Sequence, residues 1–550
     1  MSMSDEFIWW QRGVIYQVYP RSFMDSNGDG VGDLAGITSR LDYLADTLGV
    51  DTIWLSPFYP SPMADFGYDV MDYTGVDPIF GDLAAFDELV RQAHRRDLKV
   101  IIDIVPNHSS DRHPWFVESR ASRSSPKRDW YVWADARPDG SPPNNWLSVF
   151  AGPAWEWDAL TGQYYLHSFL KEQPDLNWRN PQLKAAMLDV LRSWLERGVD
   201  GFRIDVAHFI MKDPLLRDNP VKSTATQSFH KPMGEYDTLE HIYDNNHPDA
   251  HAVYRDIRQL LDAYSVQRPR VSIGEIHIFD WKRWAAYYGA QLDEIHMPFN
   301  FNLLRIPWQA PAIRDMVDAL EAALPDGAWP NYVLGNHDEI RLASRIGPQG
   351  ARQAALLLLT LRGTPTLYYG DEIGMKNVDI PLELQQDPWG KRVPGLGRDG
   401  CRTPMQWDDN PYGGFSPAGG RGPWLPLAED YHQVNVQRQL EQPDSILNLY
   451  RRLLALRKAS AALQAGDYQP LDLAPEVCFA YLRTLPGQTG YLTAINFSPT
   501  EITLEYPNMA TGNLVLSTFL DRREPLKFSK LTLRPYEGVL IELAGARNAS

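Results

Sequence analysis

GFRIDV, residues 201–206, sets Arg203 and Asp205 two apart between Phe202, Ile204 and Val206. Strand side chains alternate between faces, so the two charged residues share one face and the apolar residues take the other. Seven more short runs rich in β-branched or aromatic residues accompany it: VIYQVYP (14–20), TIWLSP (52–57), KVIIDIV (99–105), VSIGEI (271–276), EIHMPF (294–299), NYVLGN (331–336) and TPTLYYG (364–370). Most neighbours are separated by a few dozen residues of amphipathic sequence, enough for one crossover helix, which is the pattern of parallel βα units. Eight such units predict an α/β fold, a (β/α)8 TIM barrel.

Nearly a hundred residues separate the third run from the fourth, and a subdomain is expected to be inserted there, over 106–177. That stretch is rich in Trp, Pro and Asn with little helical period, so an irregular excursion is expected. After about Gln464 the pattern changes to YLTAINF, EITLEY, NLVLSTF and GVLIEL, alternating stretches that predict a C-terminal antiparallel β-domain, a sandwich over 464–550. The barrel then comprises 1–105 and 178–463. The Gly/Pro-rich Gly390–Trp407 segment is a long loop after the eighth strand, where barrels bind ligands.

The 550 residues are 44% hydrophobic and 22% charged, ordinary globular usage. A net charge of −17 without a basic cluster excludes nucleic acid as a natural partner. The longest aliphatic runs, such as AALLLLTL (354–361), are too short to cross a membrane. MSMSDEFIWWQRG lacks the basic-then-apolar order of a secretory signal, so a cytoplasmic location is expected. Cys401 and Cys478 have no zinc spacing and read as bystanders. Eighteen Trp and twenty-six Tyr, many in loop-like stretches such as DWYVWAD, suit the stacking of sugar faces, although a large core also absorbs them.

Barrel chemistry gathers at the C-terminal ends of strands. Four ends are charged: Asp103 runs into Asn107 and His108, Arg203 precedes Asp205, the fifth run carries Glu275, and the seventh leads into His337 and Asp338. Three carboxylates in one concavity are the equipment of glycoside hydrolysis, which needs a nucleophile, an acid/base and negative charge near an oxocarbenium-like transition state. Arg203 is expected to hold Asp205 ionised, and a neighbouring carboxylate to raise Glu275. Singly, each has a plain alternative: Asp103 and Arg203 as a buried ion pair, or the NHD stretch as a helix cap.

DSNGDGVGDL (25–34) places oxygen ligands at Asp25, Asn27, Asp29 and Asp33 with the Val31 carbonyl between, matching the first half of an EF-hand loop. The twelfth position is Gly36, where a sensor loop has Glu. A structural Ca2+ or Mg2+ site and a solvated polar turn are the two readings. HIYDNNHPDAH (241–251) also invites a metal reading, without the helical order of a metalloprotease motif.

Together, DIVPNH, QPDLN (173–177), GFRIDVAHF, GEI and GNHD resemble the ordered signature blocks of the α-amylase family of glycoside hydrolases. VIYQVYPRSFMDSNGDGVGDL and RTPMQWDD are similar to its α-glucosidase and oligo-1,6-glucosidase branch. The resemblance covers nearly the whole chain. It implies Asp205 as nucleophile, Glu275 as general acid/base and Asp338 as stabiliser of the distorted sugar. Tyr68, His108, Arg203 and His337 match positions that hold the terminal glucose, and Asp65 with Arg402 matches a pair that binds non-reducing-end hydroxyls and closes the pocket. The implied enzyme is an exo-acting, retaining α-glucosidase acting on maltose- or isomaltose-type substrates, with transfer to sugar or alcohol acceptors, a structural Ca2+ or Mg2+ at Asp25–Asp33, no organic cofactor, and a monomeric or homodimeric state. His208-Phe209 stand where endo-acting amylases carry Lys-His, and Val206 follows the nucleophile as in relatives favouring α-1,6 bonds. The alternatives are a sucrose isomerase or dedicated glucosyltransferase using the same residues, and a non-catalytic sugar-binding or transporter-associated relative.

Overall fold

The computed structural model describes residues 7–224, 232–505, 512–526 and 530–543. Each of the eight runs holds one strand of a single parallel sheet: β1 (Ile15–Val18), β2 (Thr52–Leu55), β3 (Lys99–Ile104), β4 (Gly201–Ile204), β5 (Val271–Gly274), β6 (Met297–Pro298), β7 (Asn331–Val333) and β8 (Thr364–Tyr368). Pairing runs β7-β8-β1-β2-β3-β4-β5-β6, and a parallel bridge between Asn300 and Tyr332 brings the last strand back to the first. The predicted barrel is the observed one.

Period two separates two cores. Tyr16, Ile53, Val100, Ile102, Phe202 and Ile204 join the large cluster under the helices, whereas Ile15, Trp54, Ile101, Ile273, Met297 and Val333 form a distinct inner cluster. Arg203 and Asp103 keep the inward parity, with the Arg203 guanidinium 5.1 Å from the Trp54 ring. The outer helices follow ordinary rules. In Leu83–Arg95, Asp82 accepts the Ala85 N–H as N-cap, and Phe86, Leu89, Val90 and Ala93 bury one stripe.

The segment between β3 and β4 is more regular than expected. It carries a helix, Pro114–Ala121, and a three-stranded antiparallel sheet of Trp133–Ala134, Gln163–Leu166 and Trp155–Asp158. Strands of two to four residues are too short to register as alternation. The C-terminal antiparallel sheet runs Asp467–Leu471, Cys478–Thr484, Tyr491–Asn496, Gly538–Leu543, Gly512–Ser517 and Glu524–Leu526, with Ile502–Leu504 and Leu531–Leu533 paired separately. All but the last residue of AALLLLTL lies in the helix Leu342–Thr360, which packs against the C-terminal sheet. Cys401 and Cys478 are both buried and unpaired. No helix among the described residues is long and apolar enough to cross a membrane. Residues 1–6 of the N-terminal stretch read for a signal lie outside the described residues.

Candidate active site

Asp205 and Glu275 follow Ile204 and Gly274, register partners on neighbouring strands. They therefore leave the barrel about 4.8 Å apart at the backbone. Arg203, 1% exposed, joins the cluster: Nη1 donates to Asp103 Oδ1 at 2.8 Å and to Asp205 Oδ1 at 2.7 Å, and Nη2 lies 2.8 Å from Glu275 Oε2. Val206 adds its N–H to Glu275 Oε2 at 2.9 Å. It does so from a left-handed backbone, φ 36°, a strain of about 1–3 kcal/mol for a β-branched residue. His277 Nε2 meets the other oxygen, Oε1, at 2.9 Å.

These contacts set the charges. Burial pushes Asp205 well above the usual carboxylate range, with Arg203 opposing and Glu275 and Asp103 adding to it. Asp103 rises to about 7, also by burial. Glu275 is buried too, yet Arg203 and the His277 hydrogen bond carry it well below its ordinary value. Arg203 bonds both carboxylates and Glu275 receives two further donors, so the two titrate as one pair rather than as separate groups.

Asp338 Oδ1 accepts from Arg402 Nη2 at 2.9 Å and Arg398 Nη1 at 3.1 Å, and its Oδ2 lies 3.2 Å from His337 Nε2. His337 Nδ1 accepts from Gln17 Nε2 at 2.8 Å, which leaves the proton on Nε2, facing the Tyr68 hydroxyl at 2.6 Å. Tyr68 stacks on the imidazole, centroids 5.3 Å apart, and donates to Asp103 Oδ2 at 3.2 Å. Burial lowers His337 to about 3 and His108 to about 4, so both are neutral at neutral pH. His108 Nε2 meets Gln173 Nε2 at 3.0 Å, and the same amide reaches Asp65 Oδ2 at 3.2 Å.

One pairing expected from sequence is corrected. Asp65 Oδ1 pairs with Arg398 Nη2 at 2.6 Å, not with Arg402. Asp387 holds that guanidinium from behind, Oδ1 at 2.6 Å. Arg402 is wholly buried beneath the pocket, donating to the His337 carbonyl and to Asp338. Both arginines belong to the same loop, and only the chain path decides which reaches the pocket mouth.

The resulting cavity is lined by Asp65, Tyr68, His108, Asp205, Glu275, Asp338 and Arg398, with apolar walls from Val149, Phe150, Phe169, Val206 and Trp389. Phe150 and Phe169 come from the inserted segment and Trp389 from the loop after β8, with Phe150 and Trp389 5.0 Å apart. Polar floor and aromatic rim together suit a single sugar ring.

A match to the family described as "Alpha amylase, catalytic domain" spans residues 17–466. The chain belongs to the α-amylase family. It is 45% identical over 514 residues to a "Probable alpha-glucosidase" of Rhizobium meliloti (strain 1021), covering 91% of each chain. Among solved structures it is similar to "alpha-glucosyl transfer enzyme, XgtA", with TM-score 0.91 and 43% identity over 98% of this chain and 100% of that one. It is also similar to "the isomaltulose synthase SmuA from Protaminobacter rubrum", with TM-score 0.87 and 32% identity over 98% and 99%. The protein is thus a glycoside hydrolase of this family.

The Asp25–Asp33 loop lies apart from this cavity. Asp25, fully buried, accepts from the N–H groups of Asn27, Gly28 and Gly30 and from Ser416 Oγ. Asn27 and Asp29 turn onto the N–H groups of Asp29 and Val31. Asp33 takes Ser26 and caps the helix Leu34–Ser39 through Gly36. Among the described residues no three His, Cys, Asp or Glu side chains converge on one point; the ligand set read from the sequence also counts the Asn27 amide and the Val31 carbonyl. In the 241–251 segment, His241, His247 and His251 face three different carboxylates, Asp244, Asp249 and Glu294, and hold no common point.

Proposed function

We propose that the protein is an exo-acting, retaining α-glucosidase that removes the non-reducing-end glucose of short α-glucosides and passes it to water or to a sugar or alcohol hydroxyl. The observation that carries this reading is the pocket lining: Asp65 and Arg398 meet at 2.6 Å on the wall of a cavity that also takes in both reacting carboxylates. One guanidinium bonded to both Asp205 and Glu275 supports the short separation, ~5 Å, used by retaining enzymes rather than the ~6.5 Å or more of inverting ones.

Asp205 attacks the anomeric carbon while the Glu275 proton passes to the glycosidic oxygen, which leaves as the aglycone alcohol. The glucosyl–Asp205 ester is then opened by water or an acceptor hydroxyl, whose proton Glu275 takes, restoring both groups. The first step needs the proton on Glu275 and none on Asp205. The two carboxylates hold one proton between them, and bound substrate places it: positive charge at the anomeric carbon favours ionised Asp205, whose negative charge raises the proton affinity of Glu275. Tyr68 and His108 contact the glucose, Arg203 and His337 fix the groups around it from behind, and Asp338 bears against its distorted ring. Likeness to an isomaltulose synthase supports a second reading, in which sucrose is isomerised by the same residues without release of the fructose.

A product time course on maltose, isomaltose and sucrose, run with wild type and Asp205→Ala, tests both. Free glucose is expected from wild type, with turnover lost by ~10⁴-fold or more in the variant. Sucrose isomers as main products replace the first reading with the second, and turnover retained by Asp205→Ala removes both.

A further inference from the structure

Glu275 is gripped unevenly. Its Oε2 takes Arg203 Nη2 and the Val206 N–H, whereas Oε1 meets His277 Nε2. Proton exchange with substrate therefore belongs to Oε1, whose second lone pair is the one left to a reacting hydroxyl or glycosidic oxygen. His277 is itself fixed, its ring stacked on Phe301 with centroids 4.3 Å apart and planes 14° from parallel. The imidazole also forms the wall between the glucose pocket and a second cavity lined by His208, Tyr236, His241, Asn245, Asp280 and Arg283.

We propose that His277 is the positioning residue of the acid/base: its Nε2–H fixes the rotation of the Glu275 carboxylate and holds it as the base that receives the acceptor's proton. This rests on Glu275 being the acid/base. In the second step the N–H donor stabilises ionised Glu275 and points the remaining lone pair at the incoming hydroxyl. In the first, a donor on the reacting oxygen limits how far up in pH Glu275 stays protonated.

The sign follows from the groups facing Glu275. Arg203 and His277 favour its ionised form, and Asp205, Asp103 and Asp338 oppose it; His208, His241, Asp280 and Arg283 lie on the far side of the imidazole. Deleting the His277 donor raises the Glu275 pKa, and the alkaline limb of kcat/KM, where the acid loses its proton, moves up.

The test is the pH profile of kcat/KM on maltose for His277→Phe, which keeps the stack on Phe301 without a donor, and His277→Gln, whose amide reaches as Nε2 does. The Phe variant's alkaline limb is expected to move up by about one pH unit, the effect of one hydrogen bond to a charged group. The Gln variant's limb returns toward wild type. Loss of activity equal at every pH, or a Gln limb displaced as far as the Phe limb, assigns His277 to packing and overturns the proposal. Glu275→Gln separates the premise: continued turnover of maltose by that variant refutes Glu275 as acid/base, whatever His277 does.

Discussion

Arg203 balances the charge at the centre of the site: one buried guanidinium touches Asp103, Asp205 and Glu275. Removing one partner from such a buried cluster destabilises by about 3–5 kcal/mol, so the arginine is structural and functional at once. Arg398 and Arg402 both donate to Asp338 Oδ1 but differ in their other partners. Arg398 reaches Asp65 at the pocket mouth, whereas Arg402 lies under Asp338 and the His337 carbonyl. Arg398→Ala is expected to lower kcat/KM for maltose ~10–100-fold, chiefly through KM, since it removes charged hydrogen bonds at the sugar's far end. Arg402→Ala is expected to lower kcat instead, by releasing Asp338 from its place. Steady-state kinetics of the two variants decides, and the opposite split returns Arg402 to the mouth. Sequence made the carboxylates legible because each ends a barrel strand, where position alone gives a side chain its direction. It could not separate two arginines four residues apart in one loop, nor show that His277 faces the acid/base oxygen.

The barrel strands were legible for a physical reason: a strand with different surroundings on its two faces must alternate, and Tyr16 against Ile15, or Phe202 against Arg203, does so. The inserted segment was not, because its helix buries only Phe116 and Ser119 and its strands are too short for a period. Phe150 and Phe169, which it sends to the pocket, carry no local signal that distinguishes them from core aromatics. The Asp25–Asp33 loop shows the limit of ligand spacing. Its alternating oxygens satisfy a cation motif and an Asx-turn clip equally, and the observed bonds are those of the clip. Cation uptake, proposed from the sequence, is compatible with those bonds, since a carboxylate that accepts an N–H keeps further lone pairs. On that proposal, saturating Ca2+ or Mg2+ stabilises chelator-treated protein by about 2.7 kcal/mol at a hundred times its Kd, and Asp29→Ala removes the increment. Melting temperatures with and without each ion measure it, and an unchanged value leaves the loop a hydrogen-bonded clip.

At the scale of the molecule the C-terminal sheet is a buttress of the barrel rather than an appendage. The helix Leu342–Thr360 that leads into β8 is almost wholly buried over Gly350–Thr360, because the sheet covers the side the barrel does not. Polar groups cross that seam in pairs. Arg483, fully buried, donates to the carbonyls of Thr360 and Gly466; Tyr481 meets Thr360 Oγ1 at 2.6 Å; Gln353 donates to the Asn496 carbonyl at 2.7 Å. Cutting the chain after Gly466 exposes Leu356 and the apolar residues beside it, each fully exposed leucine a loss of about 1.5–3 kcal/mol. Several such losses exceed what a domain of ordinary stability, about 5–15 kcal/mol, can absorb. The truncated chain is therefore expected to yield no soluble folded barrel, and the full chain to unfold in one calorimetric transition. Two separated transitions, or an active fragment ending at Gly466, would show that the seam adds little and that the barrel closes on its own strands.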